Sequence, residues 1–150
     1  MKKLFLPLLL LLGIGFTSCE QEDVIDDIFC SHPWHLTDYY YTPDWNGAQS
    51  NPVPFDGEYY TDFDVHTITF LTDGSLIVDL PDGRATGRWV ADGTTRQLLI
   101  SSLKAPARLD AYSQKMINRL KGVAWYRGDI HVLALYDEDQ HNFMQFETVK

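Results

Sequence analysis

Basic side chains are scarce in this sequence: 12 Lys and Arg stand against 21 Asp and Glu, a formal charge of −9 at pH 7. Proteins that grip nucleic acid set cationic side chains against phosphates, so this balance excludes such a partner. Catalytic signatures are missing too. The chain has no glycine-rich phosphate loop and no Gly-x-Ser-x-Gly elbow. Glu58, Asp62 and Asp64 lack the spacing of a calcium loop. His32 and His35 flank Pro33 at the start of a strand pattern, with no matched third ligand. No metal, no cofactor and no enzymatic activity is therefore expected; a hydrolase with unrecognised residues is the catalytic alternative. Only Cys19 and Cys30 carry thiols. No apolar run reaches the roughly 20 residues that a membrane-spanning helix needs.

What the chain does have begins at its N-terminus. Lys2 and Lys3 precede an apolar core from Leu4 to Phe16, which ends at Phe16-Thr17-Ser18-Cys19. A core of 13 residues is too short to span a bilayer and suits a cleaved signal peptide. The small residues Thr17 and Ser18 before Cys19 resemble the lipobox of bacterial lipoproteins, although Phe16 stands where an aliphatic residue is usual. That resemblance implies a diacylglyceryl thioether on the Cys19 sulfur, followed by cleavage before Cys19. Several acyl chains matter, because a single chain binds a membrane only marginally. Loss of residues 1–18 removes Lys2 and Lys3 and leaves ten basic side chains against 21 acidic, a net of −11. Such a surface is repelled by anionic lipid heads, so the lipid on Cys19 is the expected membrane attachment. With Cys19 lipidated, Cys30 is a lone thiol and no intramolecular disulfide forms.

Behind Cys19 runs Glu20-Gln21-Glu22-Asp23, then Asp26-Asp27, which reads as a solvated acidic tether over residues 19–29. The run resembles the export signal of surface-exposed lipoproteins of Bacteroidota. The expected location is the cell envelope at the outer membrane, on its periplasmic face or at the cell surface.

Residues 30–150 read as one domain. His35 to Tyr41, preceded by Trp34, forms an aromatic-rich first strand, and residues 42–64 are irregular around Pro43, Gly47, Pro52, Pro54 and Gly57. Period-two strands follow at His66–Leu71, Ser75–Leu80, Arg84–Ala91 and Arg96–Ser102, joined by Asp73-Gly74, Asp82-Gly83 and Asp92-Gly93 turns. Leu109, Tyr112, Met116, Ile117 and Leu120 make one apolar stripe of a helix over residues 106–121, with Gly122 as its stop. Strands at Val123–Arg127, Ile130–Tyr136 and Asn142–Thr148 close the chain. The expected fold is mainly β: an antiparallel up-and-down barrel of about eight strands, with one amphipathic helix after the fifth.

The Thr67–Ile100 hairpins, with their Phe-x-x-Asp-Gly turn, Gly-x-Trp strand and Leu-x-Ile strand, resemble small lipocalin-like domains of bacterial lipoproteins. The helix-to-Phe146 segment is similar to the end of META-type domains, without their Gly-Cys-Asn core. The resemblance implies a barrel and assigns no ligand. Aromatic residues crowd between Trp34 and Phe63, and Trp45, Tyr59 and Tyr60 fall in the breaker-rich loop. Such rings either cover the core or form a binding mouth for a small apolar molecule, a glycan or a protein. The expected role is a membrane-anchored binding or interaction module. A structural accessory subunit of an envelope complex is the alternative of another class. Cys19→Ser is expected to abolish incorporation of a labelled fatty acid and to move the chain from the membrane to the soluble fraction. Undiminished labelling of that variant would contradict the anchor.

Overall fold

Alternation of apolar side chains fixes which strand face turns inward, and the Asp-Gly steps fix where the chain reverses. In β4 (Ser75–Leu80), Leu76, Val78 and Leu80 are buried while Ser75, Ile77 and Asp79 are partly exposed. The turn before it is held by the Asp73 carboxylate, which accepts the Ser75 N–H at 2.8 Å. Gly74 there has φ +83°, which lacks strain only without a Cβ.

The computed structural model describes residues 24–47, 50–54 and 65–148. Besides β4, its strands are β1 (Trp34–Tyr41), β2 (Asn51–Pro52), β3 (Thr67–Phe70), β5 (Gly83–Ala91), β6 (Leu98–Lys104), β7 (Val123–Gly128), β8 (Val132–Asp137) and β9 (Asn142–Thr148). Helix α1 covers Ile25–Phe29 and α2 covers Ala111–Lys121. All nine strands join one antiparallel sheet in the order β6-β5-β4-β3-β1-β9-β8-β7, with β2 beside β1. Two meanders, β3 to β6 and β7 to β9, are thus spliced together by β1. That strand runs along β9 from Trp34 to Tyr41 but pairs with β3 only at Trp34 and His35.

Four expectations are corrected. Among the described residues the strands number nine and α2 follows the sixth, because the breaker-rich stretch contains β2, which pairs Asn51 and Pro52 with Tyr41 and Tyr40. Two residues carry no alternation to read. Second, the ladder does not close into the expected barrel. The end strands β6 and β7 meet through one bridge, Gln97 to Trp125, with the Tyr126 N–H donating to the Arg96 carbonyl at 3.0 Å. The sheet is therefore curled with an open seam. Third, α2 begins at Ala111, not at Pro106: Asp110 is its N-cap, accepting the Ser113 N–H at 2.8 Å. Fourth, the last residues of the acidic tether belong to the fold. Asp26 and Asp27 face solvent, whereas Ile28 and Phe29 on the same short helix are buried.

The interior is packed with side chains. Trp34, Leu36, Ile68, Phe70, Leu76, Tyr126 and Phe146 are all fully buried, and α2 adds Met116, Ile117 and Leu120 from its inner stripe. Phe29 sits among rings from three strands, with centroids 4.9 Å from Phe70, 5.1 Å from Trp89 and 4.9 Å from Tyr126. Its carbonyl accepts the Trp34 indole N–H at 3.2 Å. Loss of a buried aromatic side chain costs about 3–5 kcal/mol. Phe29→Ala is thus expected to lower unfolding stability in urea by that amount, against less than about 1 kcal/mol for Leu99→Ala on the outer face. Equal, small effects of the two would contradict the placement of Phe29.

Candidate functional site

The packed interior turns attention to the outer face. Period-two geometry points Tyr39 inward and Tyr40 outward on β1, and the register carries the outward row across the sheet. Tyr40 pairs with Phe143, Phe143 with Tyr136, and Tyr136 with Trp125, so one aromatic row crosses β1, β9, β8 and β7. The rings touch: Tyr40 stacks on Phe143 at 5.2 Å and Phe143 on Tyr136 at 4.5 Å. Burial in this row raises the Tyr136 hydroxyl above its ordinary value, with the Arg127 charge opposing.

Trp45 lies over this row. The chain leaves β1 at Thr42, whose N–H donates to the His141 carbonyl at 2.8 Å and whose hydroxyl donates to the Asp44 carbonyl at 2.8 Å. The Asp44 carboxylate accepts the Asn46 N–H at 2.9 Å and tightens the turn that returns Trp45 to the sheet. Its ring meets Tyr136 edge-on at 4.7 Å and Trp125 at 6.2 Å. The Arg127 guanidinium stands 5.1 Å from the Trp45 centroid and also donates to the Trp45 carbonyl, a cation–π contact reinforced by a hydrogen bond. Trp45 remains half-buried, with part of its ring open to solvent.

Trp125, also half-buried, joins this platform to the open seam. Its indole N–H donates to the Glu138 carbonyl at 3.2 Å, and its ring borders a groove of about 920 Å³ between β6 and β7. Ile25 of α1, Leu98 and Val123 line the groove with the cross-strand pair Val90 and Leu99, which are 60% and 58% exposed. Asp92, Lys121 and Glu138 add charge at its margin.

Of the residues singled out in the sequence, Trp45 is thus placed at the surface, while Cys19, Tyr59 and Tyr60 lie outside the described residues, as do Glu58, Asp62 and Asp64. Cys30 is partly buried, with Sγ 3.9 Å from the Asp26 carboxylate. Burial, then the Asp26 charge and that hydrogen bond, push its thiol up to about 11, so it stays protonated and weakly nucleophilic at neutral pH. His32 takes the Ile130 carbonyl at 2.7 Å and packs against Trp34. Among the described residues, no group of three or more His, Cys, Asp or Glu side chains is arranged to hold a metal.

One polar cluster escaped the sequence reading. Ser113 donates its hydroxyl to Asp110 Oδ2 at 2.8 Å and lies 3.1 Å from His66 Nε2. The carboxylate bonds the serine, not the imidazole, and both Ser113 and His66 are fully buried. This arrangement differs from a serine–histidine–carboxylate relay, in which the acid orients the histidine. It fastens the start of α2 to the entry of β3. Only folding brings these residues together, since no spacing motif connects position 66 to position 113.

The fold is similar to that in the crystal structure of a DUF4847 family protein from Bacteroides vulgatus ATCC 8482. The two chains are 25% identical, with a TM-score of 0.71, and the match covers 84% of this chain and 98% of that one. No curated protein matches the sequence. Residues 20–148 match the family described as a domain of unknown function (DUF4847), and the chain belongs to that family.

Proposed function

We propose that this protein is a lipid-anchored binding or interaction module of the cell envelope, attached to the outer membrane through Cys19. In this reading its curled sheet serves as a lipocalin-like, META-like scaffold that works from its outside. The observation that carries it is Trp45, partly exposed and held over a four-strand aromatic row beside the seam groove. Partly exposed indoles held in place by neighbouring rings are suited to contact with a sugar face, an apolar molecule or a protein surface, because little conformational entropy is lost on binding. Arg127 beneath Trp45 holds the ring in place before any ligand arrives. The acidic run after Cys19 and a solved relative from a Bacteroides species agree with the outer-membrane address.

The packed interior favours contact at the surface over carriage in a lumen, and it gives the accessory-subunit reading its support as well. The two readings differ in what is bound. A module for small ligands or glycans returns no stoichiometric protein, and an accessory subunit returns one.

Affinity capture of the full lipidated chain from detergent-solubilised membranes separates them. A central interface tryptophan contributes about 2 kcal/mol or more, so the captured species is expected to fall more than about tenfold with Trp45→Ala or Trp125→Ala, at unchanged far-ultraviolet dichroism. Equal recovery with the wild type and both variants would contradict this surface as the contact.

A further inference from the structure

The seam groove lies beside the point where the anchor segment meets the fold. Ile25, the first residue of α1, forms part of its wall, and Val24 before it is 59% exposed. Ile25 stands six positions after Cys19. An extended chain covers at most 3.3–3.6 Å per residue, so the Cys19 sulfur is confined within about 20–25 Å of the groove. The groove lies where the β5–β6 turn, at Asp92 to Gln97, meets the junction of α2 and β7 at Lys121 to Trp125. Its apolar walls, Ile25, Val90, Leu98, Leu99, Val123 and the edge of Trp125, come from α1, β5, β6 and the start of β7. An open groove with an apolar wall and a polar margin suits a single flexible hydrocarbon chain better than the flat plane of a bilayer. The mature charge of −11 and the acidic residues 20, 22 and 23 also oppose close seating on an anionic membrane.

We infer that the groove receives an acyl chain of the protein's own anchor at Cys19 whenever the protein is off the bilayer. This rests on the lipid anchor proposed above. The groove is half-open, whereas a bilayer buries a hydrocarbon chain on all sides, so the chain moves to the bilayer once one is available. The seam thus gives a lipoprotein in transit a means of shielding its own lipid. Leu99 and Val90 are exposed because their cover is the acyl chain.

The test feeds cells a diazirine-bearing palmitate analogue, so that lipid on the full-length protein can be photo-cross-linked. The lipidated chain is purified, freed of detergent and irradiated with and without phosphatidylcholine vesicles. The expected result is an intramolecular cross-link from Cys19 lipid to the segments at 89–99 or 122–127, lost when vesicles are added. Leu99→Asp, on the exposed face, is expected to lower its yield at least fivefold with Cys19 still labelled. Ile130→Asp, which removes another exposed apolar side chain outside the groove, leaves it unchanged. Labelled protein whose cross-links reach only other copies of the chain, or co-purified phospholipid, would overturn this inference and leave the anchor standing. Absence of label on Cys19 would overturn both.

Discussion

Phe29 is the side chain on which the rest of the structure depends. It comes from a one-turn helix at the entrance of the fold and fills the centre of the curled sheet, against Phe70 of β3, Trp89 of β5 and Tyr126 of β7. These strands belong to the two meanders on opposite sides of the seam, where hydrogen bonding is reduced to the Gln97 to Trp125 bridge and the Tyr126 to Arg96 bond beside it. A sheet that does not close by its ladder is held curled by what it wraps around. Aromatic edge-to-face and stacked contacts supply both area and orientation for that purpose. The Trp34 indole fixes the Phe29 carbonyl and so ties the plug to β1, the strand that splices the meanders.

Much of the sheet was legible because its signals are local. Leu76, Val78 and Leu80 alternate on β4, Ala85 and Trp89 share the inner face of β5, and Met116, Ile117 and Leu120 form the buried stripe of α2. The Asp-Gly turns fell where expected for local reasons: Gly74 and Gly83 have positive φ, and Asp92 accepts the Thr94 and Thr95 N–H groups in a turn where Arg96, not Gly93, has positive φ. What failed to show depends on distant neighbours. Asp26 and Asp27 hid the apolar pair Ile28 and Phe29, since charge along a short segment says nothing about which side meets a core. The stop in the β6–β7 ladder is a matter of how two distant strands meet, which no residue pattern announces. Pro106 read as a first-turn proline, yet it packs beside Gly83 and leaves Asp110 to cap the helix.

The candidate site shows the same division. Trp45 stood out by composition and its loop by its breakers, but nothing in the sequence indicated that it folds back onto Tyr136 and Trp125. The row of Tyr40, Phe143, Tyr136 and Trp125 exists only through cross-strand register. Aromatic residues in the first strand divide by parity: Tyr39 joins the core and Tyr40 the outer row. One aromatic-rich segment thus serves both as interior filling and as outer platform. The seam groove, Ile25 in its wall and the nearby Cys19 connect that outer face to the expected anchor through a short stretch of chain.

The central claim is that the interior is filled and that contacts are made outside, at the seam and the Trp45 platform. Nuclear magnetic resonance with a small apolar nitroxide in solution tests it most directly. Signals from Val90, Leu99, Trp125 and Trp45 should broaden as the nitroxide is added, while those from Phe29, Trp34, Phe70 and Phe146 stay sharp. Broadening of the interior set at equal or lower nitroxide concentration would mean a hollow, accessible lumen and would contradict the account.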